Sequence, residues 1–259
     1  MSMDTQAGAA YGSYVRGGGP LTAVAAITQR ELAAYVFSPI AYVVGFIFLA
    51  MTGYFFISET LVPGSEASMR SLFERMAGLL VFALPLLTMR SIADDYASGT
   101  IETMMTAPVT DASVVLGKFL GAWVFYAVLL ATTLVHLAIL ASHSSPIGAV
   151  VAVGYLGMLL MGGLFLAVGI FASSCTRHQL LAAMISVAVL SVFTFVVDYG
   201  SEFGGYAWLR QTCANVNILW QFADFAKGIL DTKSVLFFLS GIVFFLFLAT
   251  KVMESRRWR

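Results

Sequence analysis

Six long apolar runs, each closed by charges, prolines or glycines, constrain this chain more than any other feature of its sequence. They fall at about residues 39–57, 72–89, 118–140, 147–172, 180–197 and 234–250. A helix rises ~1.5 Å per residue, so runs of this length match the ~30 Å hydrocarbon core of a bilayer. Overall usage agrees: charged residues make up 11% of the 259 and hydrophobic residues 59%, where a soluble domain carries about 25% charged residues. The expected fold is all-α and integral to the membrane, with six transmembrane helices.

The segments between the runs complete the plan. Residues 1–20 are small and polar and lack the apolar centre of a signal peptide, so a disordered tail is expected there, with 21–259 as one transmembrane domain. Leu21 to Phe37 contains Gln29, Arg30 and Glu31 and cannot span. On a helical wheel Leu21, Val24, Ala25, Leu32, Tyr35 and Val36 share one side, interrupted by Thr28, which suits an amphipathic helix lying in the interface. A frayed start of the first span is the alternative. Ser38-Pro39 then marks a bend.

Ala41 and Gly45 form a small-xxx-small pair in the first run, and Pro85 should kink the second near its inner end. The fourth run carries Gly154, Gly157, Gly162, Gly163 and Gly169, which suits a helix packed against others. Asp198 to Lys233 is too charged to span yet rich in aromatics, and one or two interfacial or re-entrant helices are expected there. Its Trp208, Trp220, Phe222 and Phe225 are candidate contacts for an extracytoplasmic partner, or plain interfacial anchors. Cys175 and Cys213 fall on opposite membrane faces in this plan, and no disulfide is expected.

The most distinctive polar stretch lies between the second and third runs, from Thr88 to Lys118. It contains Arg90, Asp94, Asp95, Glu102, Asp111 and Lys118. Gly99 suits a backbone conformation closed to other residues, Thr100 can cap a short helix, Glu102 favours its first turn, and Pro108 ends it. Ile101, Met104 and Met105 then share one exposed face, an adaptable apolar knob for a soluble partner. A merely polar connector is the competing reading. With six spans both termini share a side. That side collects Arg16, Arg30, Arg90, Lys118, Arg177, Lys251, Arg256, Arg257 and Arg259, against Arg70, Arg75, Arg210, Lys227 and Lys233 opposite. The excess makes it cytoplasmic, and the Arg90–Lys118 loop with it.

The segments Arg30 to Phe56, Leu87 to Phe119 with its SGT-x-E-x-x-x-x-x-P pattern, Phe222 to Ser240 and Glu254 to Arg259 together resemble ABC-2 type permeases, nearest to the gliding-motility-type branch. The resemblance runs from about Leu21 to Arg259. It implies a six-helix half-transporter of the bacterial inner membrane that pairs with a second permease copy, identical or paralogous, and with two ATP-hydrolysing subunits. It further implies that Arg30 and Glu31 sit on a connecting helix, and that Gly99, Thr100, Glu102 and Pro108 lie on a coupling helix that seats in the ATPase. Where many relatives carry glutamates before the SGT-like segment, this chain has Asp94-Asp95.

No GxxxxGK[ST] loop occurs, so ATP and Mg are expected in the partner ATPase and no cofactor or metal on this chain. The lipid bilayer, and an extracytoplasmic auxiliary protein in a force-transmitting variant of the complex, complete the expected partners; nucleic acid is not among them. Two rival functions fit these residues less well. A redox subunit would need its imidazoles at one depth, but His136, His143 and His178 are scattered. An ion-coupled secondary transporter would need ionisable groups near the midplane, where these runs have almost none.

Overall fold

The computed structural model describes residues 20–60, 69–99, 110–143, 148–196 and 216–257, and these form helices and connecting turns with no strand among them. The expected tail lies outside the described residues except for Pro20. So do Thr100, Ile101, Glu102, Met104, Met105, Pro108, Trp208 and Cys213.

In chain order the helices are α1 (Pro20–Val36), α2 (Pro39–Phe55, prolonged by a π turn Phe56–Thr60), α3 (Met69–Thr88), α4 (Ala93–Ala97), α5 (Asp111–Thr132), α6 (Leu134–His143), α7 (Gly148–Cys175), α8 (Gln179–Ser191, followed by a π turn Val192–Val196), α9 (Ile218–Ala226) and α10 (Thr232–Arg257). Among the described residues five stretches are long and apolar enough to cross a membrane: Pro39–Thr60, Met69–Ala97, Asp111–Ser142, Gly148–Cys175 and Thr232–Arg256. The remaining expected span corresponds to the shorter apolar helix Gln179–Phe195.

Helix α7 is the axis of the bundle, packed by α10, α3, α8, α9 and α5. Its glycines explain why so many neighbours fit. A Cβ on Gly154 would stand 2.3 Å from Phe73 Cε2, one on Gly157 2.5 Å from Phe225 Cβ, and one on Gly162 2.2 Å from Tyr126 Cε1. Neighbouring helices therefore occupy the volume that side chains would have filled. Helix α3 answers with an apolar stripe of helical period, Leu72, Phe73, Met76, Leu80 and Leu84, all at or near complete burial. In contrast α2 leaves Tyr42, Val43, Phe46, Ile47 and Tyr54 exposed, as a lipid-facing surface would.

Three details refine the sequence expectations. The third span is not one helix: it begins at Asp111 and is interrupted at Thr133, whose hydroxyl bonds the Leu130 carbonyl at 2.6 Å and meets the Tyr155 hydroxyl at 3.1 Å. Such back-bonding perturbs the helical ladder. Helix α3 continues through Pro85 to Thr88 before breaking into a turn over residues 89–92. On α1 the buried stripe is Ala23, Ile27, Glu31 and Tyr35, while Leu21 and Val36 stay exposed. The stripe shifts because α1 packs on α5. Gly117 and Gly121 of α5 admit it so closely that added Cβ atoms would stand 2.6 Å from Ile27 Cγ2 and 2.7 Å from Glu31 Cβ.

Candidate functional site

Glu31 lies on the buried stripe of α1, and the pairing of α1 with α5 carries it to Lys118, one residue beyond Gly117. The Lys118 ammonium sits 2.8 Å from Glu31 Oε1 and 2.8 Å from Asp95 Oδ2, and it donates a third hydrogen bond to the Ser91 carbonyl. An ammonium has three N–H groups, so one lysine is saturated by oxygens from α1, the turn after α3, and α4. The Lys118 side chain is 2% exposed, Glu31 10% and Asp95 13%. Arg30 approaches the same carboxylates at 3.8 and 3.9 Å and brings the second positive charge. Removing one member of such a buried set leaves an uncompensated charge, typically a loss of about 3–5 kcal/mol.

Around this knot residues 88–99 are anchored on every side. Ser173 of α7 accepts hydrogen bonds from the Ile92 and Ala93 amides at 3.0 and 2.9 Å and donates to the Met89 carbonyl at 3.2 Å. It thereby serves the amides at the start of α4, a helix whose own N-cap, Ile92, has no side chain able to do so. Asp94 accepts from Gln179 of α8 at 2.6 Å and from Arg90 at 3.4 Å. Arg256 of α10 stacks its guanidinium 4.8 Å from the Tyr96 ring centroid and donates to the Cys175 carbonyl. Burial, and then the neighbouring Glu31 charge, push the Tyr35 phenol well above the ordinary tyrosine value.

Gly99, just beyond α4, has a φ of +72°, the left-handed conformation that glycine alone adopts without strain. The Thr110 side chain accepts from the Ser113 amide and caps α5, with Asp111 in its first turn. Arg30, Glu31, Arg90, Asp94, Asp95 and Lys118 thus gather in one place, and Gly99 is not among them. Within it Lys118 and Asp95 point inward, so these two charges organise the platform instead of facing a partner.

What the sequence reading missed was the supporting cast. Ser173, Gln179 and Arg256 come from distant positions, and Tyr96 follows Asp95 directly. The available signals were the Gly117-xxx-Gly121 pair flanking a lysine, and a glutamate in register with Ala23, Ile27 and Tyr35.

At the other end the aromatic candidates separate. Asn217 caps α9 by accepting from the Leu219 and Trp220 amides. Phe222 and Phe225 are then 1% and 0% exposed, and Phe225 stands against Gly157 of α7. They are core residues, unavailable as a contact surface, because the glycines of α7 open the space they fill. Trp220 is 49% exposed. His136 lies edge-on to Phe56 with ring centroids 5.0 Å apart, and His178 precedes α8 at its N-cap. No group of three or more metal-ligating side chains gathers among the described residues. Cys175 is a free, exposed thiol.

A bundle of long apolar helices with a charged platform at one end defines a multi-pass membrane protein. The family model described as ABC-2 family transporter protein matches residues 23–240. The chain belongs to that family, and so is a membrane permease component of an ABC transporter. No curated protein matches it.

Proposed function

We propose that this chain is the permease half of an exporter of the bacterial inner membrane, with both termini cytoplasmic and with ATP hydrolysed by a separate pair of subunits. Residues 100–109 act as the coupling helix, seating Ile101, Met104 and Met105 in the ATPase with Glu102 at the helix start. Two permease copies complete the complex. The observation that carries this reading is the Lys118 knot. A segment that must receive movement from a partner needs a rigid base, and the knot joins both flanks of 100–109, at Asp95 and at Lys118, to the amphipathic helix α1 through Glu31. Movement delivered at 100–109 then reaches α3 and α5 together with α1, whose Arg30 and Glu31 make it the connecting helix.

The test is affinity purification of the tagged chain in mild detergent, with identification and ATPase assay of what co-purifies. Retention of a Walker-motif subunit by the parent, and its loss on replacing Ile101, Met104 and Met105 by serine, is the expected result. Glu102→Lys should leave assembly partly intact and uncouple ATPase stimulation from transport. A folded chain that purifies alone and ignores ATP would overturn the proposal.

A further inference from the structure

Beside the knot lies a cavity of about 400 Å³ whose lining includes three cationic side chains, Arg30, Arg90 and Lys118, and three acidic ones, Glu31, Asp94 and Asp95. We propose that it seats the zwitterionic headgroup of an aminophospholipid, with the phosphate toward Arg30 and Arg90 and the primary amine toward the half-exposed Asp94. This inference goes beyond the coupling role and does not depend on it. It requires only that the cavity lie at the edge of the bilayer.

Its position supplies that. The cavity is bounded by the elbow between α1 and α2 and by Leu87 at the end of α3, the places where membrane helices end. An apolar, open side chain stands in the wall itself, Phe37 at 83% exposure, and Tyr42 and Leu86, next in sequence to the lining residues Ala41 and Leu87, are exposed as well. Acyl chains can lie along this surface while a headgroup turns inward.

The charged groups in the wall are unequally committed. Lys118 is saturated by its three oxygens. Arg30 stays at 3.8 and 3.9 Å from the two carboxylates, in ion-pair range but beyond hydrogen-bond length, and Arg90 meets Asp94 only at 3.4 Å. Both guanidiniums are nearly half exposed, and such planar forks match phosphate oxygens. The buried Ser91 hydroxyl pairs with the Tyr35 phenol and lies in the same wall.

The equal number of opposite charges decides the ligand class. A purely anionic headgroup would set its phosphate among three carboxylates with nothing to offer them. A primary ammonium presents three N–H donors, whereas a quaternary ammonium presents none.

The experiment uses the full purified chain in a neutral detergent, titrated separately with short-chain phosphatidylethanolamine, phosphatidylcholine, phosphatidylglycerol and free phosphoethanolamine, reading the thermal midpoint. The expected result is a rise of several degrees with phosphatidylethanolamine, at least twice that given by the other lipids, and reduced to their level in Arg90→Gln. Equal rises with all lipids, a larger rise with phosphatidylglycerol, or an undiminished preference in Arg90→Gln would overturn the proposal. An equal rise with free phosphoethanolamine would overturn the assignment to a lipid. If Arg90→Gln does not fold, native mass spectrometry of the parent decides: preferential retention of phosphatidylethanolamine from an equimolar lipid mixture supports the site, and indiscriminate retention sinks it.

Discussion

The glycine seam of α7 and the charge knot at Lys118 hold helices together by opposite means. Along the seam side chains are removed, so that Phe73, Phe225 and Tyr126 lie against bare backbone. Its cohesion is dispersion summed over many small contacts, each nearly independent of the next. In the knot, charge is placed where lipid and protein would both reject it, and it is tolerated only because every donor of Lys118 finds an oxygen. The seam therefore weakens by degrees, whereas the knot is lost by members.

The largest effect should come from Lys118→Met, which strands Glu31 and Asp95. A loss of about 3–5 kcal/mol is expected, read as a lower unfolding midpoint in detergent. The triple change Glu31→Gln, Asp95→Asn and Lys118→Met should recover most of it, since a neutral set no longer needs pairing. If the single change costs no more than a seam variant, the contrast between the two regions fails.

Within the seam, Gly162→Ala drives a methyl toward Tyr126, and about 1–3 kcal/mol should be lost. Gly148→Ala, which meets nothing within 4 Å, should be neutral or slightly stabilising. Ser173→Ala removes the acceptor shared by two buried amides, a loss of about 1–3 kcal/mol. Hydrogen exchange should localise it to Ile92 and Ala93, and exchange spread evenly through α7 would show that Ser173 belongs to the seam instead.

The smallest effect is alkaline. The folded Tyr35 phenol keeps its proton above the ordinary value of 10.0, whereas the unfolded one releases it there. The unfolded state then binds fewer protons, so stability falls as pH rises beyond that point. Tyr35→Phe should decline less steeply above pH 10 than the parent in the same denaturation series.

The two regions also differ in how they were written into the chain. The seam could be read from one run, because glycines at Gly154, Gly157, Gly162 and Gly169 announce a helix without lipid-filling side chains. The all-helical membrane fold was equally plain, since run length maps directly onto bilayer thickness. The knot could be located but not assembled. Glu31, Asp95 and Lys118 all stood out as charges beside apolar runs, yet which of them turned inward depended on α1 docking against Gly117 and Gly121. That docking also moved the buried face of α1 away from the side its hydrophobic pattern favoured. For Phe222 and Phe225, aromatic character alone could not separate a membrane anchor from a core residue, because the deciding partner, Gly157, lies far away in the chain.

The contacts of Ser173, Gln179 and Arg256 carry a mechanical consequence. If only α3 and α5 flanked the platform, a push delivered there would bend two levers independently. Because α7, α8 and α10 are bonded into the same platform, through the Ile92 and Ala93 amides, through Asp94 and through the Tyr96 ring, and α1 through Glu31, a push there would be shared by six helices at once. Under the proposed coupling role such a body would rock as a unit, with the Ser38-Pro39 elbow beside the platform and the Thr133 break farther along α5 as the places where it can flex.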